Sequence, residues 1–397
     1  MTVAVFESTY ISDFEELVFQ VANKVSAWLP FIRRWLDNSA QKYSRIARTY
    51  YEDDDYKSAI ENYRKAIFRA PENADLYSAL GQVYYDDDHL SEAEAYFRMA
   101  LNINAKNQRA LKGIGFTLHW KGNIEEALYT YLSYLRLNPD DADVLINLGA
   151  LFLDSAQYEQ AIQYSEKAIK VNPEEGAAYQ NLGSAYYYLG RIPEAEGAIR
   201  RALELGPNSE SYQLLGLILE TQGKLAEALK SYFAAVEDTP SSGEAQLDLA
   251  RLLDDVGRKA EYVEHSGLAV EAYKKQGDKN GLASAYLNLG WGYYQTGDYK
   301  KSIEASRMAL EINPESSTAR FNLGLALLLT NDAAGAKREY LEALRHAKLS
   351  EIKTDAIDDL TRALEEKPQL AGGKEILDTL TAEYQRLEAQ RSVKSTS

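Results

Sequence analysis

Small and apolar residues recur along this chain in one pattern, nine times between Ala40 and Ser350 and mostly 34 residues apart. That period predicts a series of helix–turn–helix units, because one such unit can bury its apolar stripe only against its neighbours. The register is carried by small residues. Ala47, Gly81, Gly115, Gly149, Gly183, Gly216, Ala250, Gly290 and Gly324 occupy one equivalent position. Twelve residues further on stand Ala59, Ala93, Ala127, Ala161, Ala195, Ala228, Tyr262, Ser302 and Ala336. Seven residues later a third small position runs from Ala66 to Ala343, broken only by Tyr134. Small residues at these places let two antiparallel helices approach closely, with larger apolar neighbours filling the flanks.

The turns are legible too. Between the two helices of a unit stands Gly122, Gly190, Gly223, Gly257 or Gly297, and elsewhere Asp54, Asp88 or Asn331. These types tolerate the left-handed backbone that closes a helix, and Ala156 is the misfit among them. Pro71, Pro139, Pro173, Pro207, Pro240 and Pro314 are placed to end second helices, which Pro cannot continue.

Tyr179, Leu182-Gly183, Tyr186, Ala195, Ala202 and Pro207 together resemble the tetratricopeptide repeat motif within one unit, and the resemblance covers about four-fifths of the chain. It implies an all-α, right-handed superhelical solenoid of about nine helix–turn–helix repeats with N- and C-terminal capping helices. The implied job is non-catalytic protein binding, as a scaffold, adaptor or assembly factor. Residues 40–350 form the nine-repeat solenoid in this reading. Residues 1–39 are an amphipathic helical cap or docking segment, 351–389 a degenerate repeat and capping helix, and 390–397 a disordered tail.

Two units depart from the period. The fifth lacks one residue near Pro207, and the seventh carries six extra around Lys274–Lys279. A longer second helix and turn is expected there, with Tyr262 where Ala is usual.

Near the N-terminus, Ser12 and Glu15 make a capping box, and Phe14, Leu17, Val18, Val21, Val25, Trp28 and Leu29 form one apolar stripe up to Pro30. A short turn presenting Phe31, Ile32, Trp35 and Leu36 follows. This segment either covers the apolar edge of the first repeat or, with Trp28, Phe31 and Trp35 exposed, docks on another subunit or a membrane complex. At the other end, residues 351–367 read as a degenerate second helix. Ile376, Leu377, Leu380 and Tyr384 mark a last amphipathic helix.

Composition narrows the class. The net charge is -16, which opposes binding to nucleic acid or to anionic membrane surfaces. There is no cysteine, so thiolate metal sites and disulfides are excluded. No apolar run reaches the roughly 18 residues of a membrane span, and the acidic start is wrong for a secretory signal peptide. The expected setting is cytoplasmic, with any membrane contact indirect. His89, His119, His265 and His346 are scattered over different units, without a second ligand at helical spacing. The acidic runs at 52–55 and 86–88 lack the spacing of a calcium loop. No nucleophile elbow or phosphate-cradling loop is present. No enzyme activity, metal or cofactor is expected, and the partner is a protein or peptide.

In the family that this chain resembles, first helices line a concave groove that holds segments of other proteins. Asn147, Asn181, Asn288 and Asn322 then fall at one inward position, interrupted in other units by Arg45, Ala79, Gly113, Leu214 and Asp248. A row of Asn can pair with a peptide backbone regardless of its side chains. Tyr51, Tyr85, Phe116, Trp120, Tyr187, Tyr188, Trp291 and Tyr294 map inward as well. The family's carboxylate clamp is incomplete here, with only Ser44, Arg48, Ala79, Arg109 and Gly113 near its places. The most apolar inward surface is C-terminal. Leu287, Asn288, Trp291 and Tyr294 line one unit of it, and Phe321, Asn322, Leu325, Leu328 and Leu329 the next. Either a partner helix fills this surface or the chain's own helix around Ile376–Tyr384 does.

Overall fold

The structure, a computed structural model, describes the backbone of residues 30–395 and the side chains of residues 38–391. The docking candidates Trp28, Phe31 and Trp35, and the stripe before Pro30, therefore lie outside the described side chains. Every regular element among the described residues is helical. They fall into two compact units, one up to Arg191 and one from Ile192.

The first unit holds α1 (Pro30–Glu52), α2 (Tyr56–Arg69), α3 (Ala74–Asp86), α4 (Leu90–Ile103), α5 (Gln108–Trp120), α6 (Ile124–Leu135), α7 (Ala142–Asp154), α8 (Tyr158–Val171) and α9 (Gly176–Tyr188). Odd-numbered helices are the first helices of the repeats and even-numbered ones the second. No turn interrupts the chain after Pro30, because α1 runs unbroken into the first repeat. The caps explain where first helices start: the side chains of Asn73, Asn107 and Asp141 accept backbone N–H groups of the opening turns of α3, α5 and α7. The inter-helix turns adopt the left-handed backbone at Asp54, Asp88, Gly122, Ala156 and Gly190, with Ala156 at φ 54°.

The recurrent Gly has a steric reason. A Cβ at Gly81 would stand 2.8 Å from the Phe97 ring, and one at Gly115 would stand 2.5 Å from Tyr131. A buried aromatic from the second helix crosses over each glycine, so the pair is a large-into-small fit.

The second unit holds α10 (Ile192–Leu205), α11 (Ser209–Thr221), α12 (Leu225–Asp238), α13 (Gly243–Asp255), α14 (Lys259–Gln276), α15 (Lys279–Gln295), α16 (Tyr299–Ile312), α17 (Ser317–Leu329) and α18 (Ala333–Ala343). The same fit recurs, with Gly216 under Tyr232 and Gly324 under Tyr340. The extra residues of the seventh repeat lengthen α14 to 18 residues and α15 to 17, around a left-handed Gly277. Tyr273 wedges against Gly243 and Gly281, where a Cβ would sit 2.6 and 2.3 Å from its ring. Tyr262, the outsized residue, is buried and donates its hydroxyl to the Asn288 carbonyl at 2.8 Å. Gly292 makes room for it, since a Cβ there would lie 3.0 Å from the Tyr262 ring.

The chain then continues through α19 (Leu349–Glu351), a π-helical stretch Ile352–Asp358 and α20 (Asp359–Glu366), and ends in α21 (Gly373–Ser395). The Thr318 hydroxyl donates to Asp355 at 2.8 Å, which sets the π-helical stretch beside the first helix α17. Lys337 pairs with Glu375 at 2.6 Å, which sets α21 beside the second helix α18. Residues 351–395 thus sit as a further first and second helix, where the sequence reads a degenerate second helix and a cap. α21 also extends into residues 390–395, which the sequence assigns to a tail.

Candidate functional site

In the first unit, the first helices present an open, mixed surface. A cavity of about 470 Å³ is lined by Gln82 and Tyr85 of α3, by Arg109, Lys112, Gly113 and Phe116 of α5, and by Asn147 of α7. Arg109 is shared with a neighbouring cavity of about 500 Å³ that also contains Arg45 and Arg48 of α1. Arg109 and Arg48 both face the Tyr63 hydroxyl, whose pKa burial nevertheless raises. None of the three arginines has a carboxylate within salt-bridge distance among the described residues. Lys112 is engaged, at 3.0 Å from Asp141 and 2.7 Å from Asp143. Burial alone would lower its pKa, but these two carboxylates outweigh burial and raise it. Gly113 is glycine because the Phe97 ring comes within 2.2 Å of where its Cβ would be.

At the rim, Trp120 is 72% exposed. Tyr51 hydrogen-bonds Asp86, which also accepts from Gln82 at 3.1 Å. His119 lies 3.0 Å from Asp154. Tyr188 is 61% exposed and stacks on Tyr158 with centroids 5.0 Å apart, while Tyr187 meets Tyr188 edge-on.

The asparagine row is partly spent on the fold. Asn181 donates to the Ile146 carbonyl one repeat earlier at 2.9 Å, and Asn147 donates to the Asp143 carbonyl at 2.8 Å. In the second unit the Tyr262 hydroxyl donates to the Asn288 backbone carbonyl at 2.8 Å and lies 3.4 Å from its side-chain Oδ1, and Asn322 is buried.

Much of the C-terminal apolar face is covered by the chain's own later helices. Phe321, Asn322, Leu325 and Leu328 are all buried. Phe321, Leu325 and Leu328 share one core with Ile352, Ile357, Leu360, Ile376 and Leu380, and Trp291, Tyr294 and Leu329 pack against it. Trp291 and Tyr294 stack with centroids 5.0 Å apart, and burial pushes the Tyr294 hydroxyl up to about 12. Lys367 lies over the Tyr299 ring at 5.0 Å, so the end of α20 is held against the start of α16. Leu287 is half-buried and packs on the separate cluster around Ala285, Tyr286 and Leu289. The physical reason is that an apolar face of this size is covered by the nearest apolar partner, and the chain supplies one within thirty residues of Leu325 in Ile352.

The sequence pattern does not single out Gln82 and Lys112 as groove residues, and it shows Arg45 only as a break in the asparagine row. The signal that finds them is register, since they stand on first helices within one turn of the asparagine position.

Paired helices with glycine under aromatic rings, left-handed turns and a lined first-helix face define a helical-repeat binding protein. The chain belongs to the tetratricopeptide repeat family. Patterns described as tetratricopeptide repeat match residues 146–210, 214–261 and 283–351, and also 73–106, and a TPR repeat pattern matches 47–88. The chain is 24% identical over 216 residues to the protein O-mannosyl-transferase TMTC1 of Homo sapiens, a stretch that is 46% of this chain and 24% of that protein. It thus spans about a quarter of the length of this curated relative. A tetratricopeptide repeat protein of Parabacteroides merdae has the same fold, with a TM-score of 0.53 and 20% identity over 62% of this chain and 99% of that one. The protein YrrB, described as having an unusual peptide-binding site, is 25% identical with a TM-score of 0.37, over 46% of this chain and 92% of that one. No helix among the described residues is long and apolar enough to cross a membrane.

Proposed function

We propose that this protein is a non-catalytic scaffold that holds an extended, carboxylate-bearing segment of a partner protein along the first-helix face of its N-terminal unit. The observation that carries this reading is the convergence of Arg45, Arg48 and Arg109 on two adjoining cavities in a chain of net charge -16. Arginines with no carboxylate partner among the described residues recognise carboxylates in a fixed fork geometry, and beside them Tyr85 and Phe116 supply apolar contact while Gln82 and Asn147 supply amides. No chemistry is assigned to this face; transfer of mannose is a property in the name of the human relative, of whose length this chain spans about a quarter. The working setting is cytoplasmic, as an adaptor or assembly factor. A photo-crosslinking amino acid at position 116 of the full chain, expressed in its native cell, tests the reading. A specific adduct with one partner, suppressed by Arg109→Glu, supports it; adducts unchanged by Arg109→Glu, or none, contradict it.

A further inference from the structure

The N-terminal unit has a second lined cleft, away from the first-helix face. It lies between the second helices α6 and α8 and measures about 780 Å³. Its position has a sequence cause. The third small position of the repeat is Ala in eight units and Tyr134 in this one. Tyr134 is buried, and its hydroxyl donates to Asp141 at 2.6 Å. The bulkier phenol thus ties the end of α6 to the N-cap of α7, next to Pro139 and Asp140 of the cleft. Helix α6 also stops at 12 residues, against 14 for α4 and α8.

The cleft's floor is apolar, with Leu132, Leu135, Tyr164 and Val171. Leu132 and Val171 are 39% and 38% exposed, and Leu137 and Tyr129 close by are 40% and 69% exposed. Such a run of large apolar surface outside the core marks an interaction site. The rim is cationic. Arg136, Lys167 and Lys170 line it together with one acid, Asp140. Among the described residues none of the three cations has a carboxylate in salt-bridge distance. Lys167 lies over the Tyr164 ring at 4.6 Å, and Arg136 donates to the Ser133 hydroxyl at 2.8 Å.

We infer that this cleft is a second docking site, whose occupant is an amphipathic helix with an apolar stripe and acidic flanks. The floor takes a stripe at i, i+3, i+4 and i+7, and the three cations take the carboxylates beside it. Charge complementarity selects the acidic partner, because Arg136, Lys167 and Lys170 face a single acid, Asp140, around this cleft. The site is independent of the first-helix face, so one protein holds two segments on different surfaces.

The test uses the full chain and two labelled helical peptides. Both carry Leu at i, i+3, i+4 and i+7; one carries Glu at the flanking positions and the other Lys. Fluorescence anisotropy is expected to show saturable binding of the Glu peptide, at least about tenfold tighter than the Lys peptide. Lys167→Glu with Lys170→Glu, a surface change that leaves the helices intact by circular dichroism, is expected to weaken the Glu peptide about tenfold or more. Tyr134→Ala is expected to weaken it as well, by releasing the end of α6 from Asp141. Absent binding, equal binding of the two peptides, or indifference to the lysine reversals overturns the proposal. So does tighter binding of phosphatidylserine vesicles than of the Glu peptide, which would make the rim a lipid contact.

Discussion

The Asn181 side-chain amide donates to the carbonyl of Ile146, one repeat earlier, at 2.9 Å. The residue that family resemblance assigns to a ligand's backbone is therefore holding two first helices of this chain together. Asn181→Ala removes a partly buried bond and should lower the stability of the N-terminal unit by about 1 kcal/mol. Urea unfolding checks this; a loss of partner binding with no change in midpoint would return Asn181 to the groove.

Ala156 carries a left-handed backbone at φ 54°, in the place where Gly122, Gly190, Gly223, Gly257 and Gly297 stand in other repeats. Its Cβ is strained against its own backbone there. Ala156→Gly should stabilise the protein by about 1 kcal/mol, a rise in melting temperature seen by calorimetry.

Trp291 and Tyr294 pack onto the core that Phe321 and Leu325 share with Ile352, Leu360 and Ile376. Trp291→Ala with Tyr294→Ala should cost about 3 kcal/mol or more of local stability. Limited proteolysis should then cut first within residues 352–395. An unchanged melting curve with a lost partner would mean that this face is a ligand surface after all.

Burial raises the Asp359 carboxyl to about 6 from an ordinary 3.8, with Asp355 and Asp358 adding to the shift and Arg362 opposing it. The folded pKa lies above the unfolded one, so this group's contribution to stability is full below pH 3.8 and is lost as pH rises to about 6. Asp359→Asn should therefore stabilise the C-terminal unit at pH 7.5, by on the order of 2 kcal/mol, and the gain should vanish near pH 4. Thermal melts at the two pH values read the difference.

The repeat itself was legible because each of its rules is local. Glycine beneath an aromatic ring, a left-handed residue at the turn and proline past a second helix each leave a fixed mark in the sequence. Both irregular units were legible for the same reason, down to Tyr262 and the added residues before Gly277. The site was harder to read. Nothing in the residues of α17 says whether their apolar face meets a partner or Ile352, Leu360 and Ile376; that depends on how the chain turns after Ala343. The asparagine row misled because a residue's register fixes the face it occupies and not the atom it bonds. Arg45, Arg48 and Arg109 come from α1 and α5, and only stacking brings them to one place.

The central claim is that the open face of the N-terminal unit holds the partner while the C-terminal apolar face is filled by the chain itself. Quantitative affinity purification from the native cell, with tagged full-length variants at equal protein, tests it most directly. Arg109→Ala with Phe116→Ala should reduce recovery of the principal partner by about tenfold or more, whereas Leu329→Ala, on the filled C-terminal face, should leave recovery unchanged. Unchanged recovery with the first variant, or loss only with the second, would contradict the account.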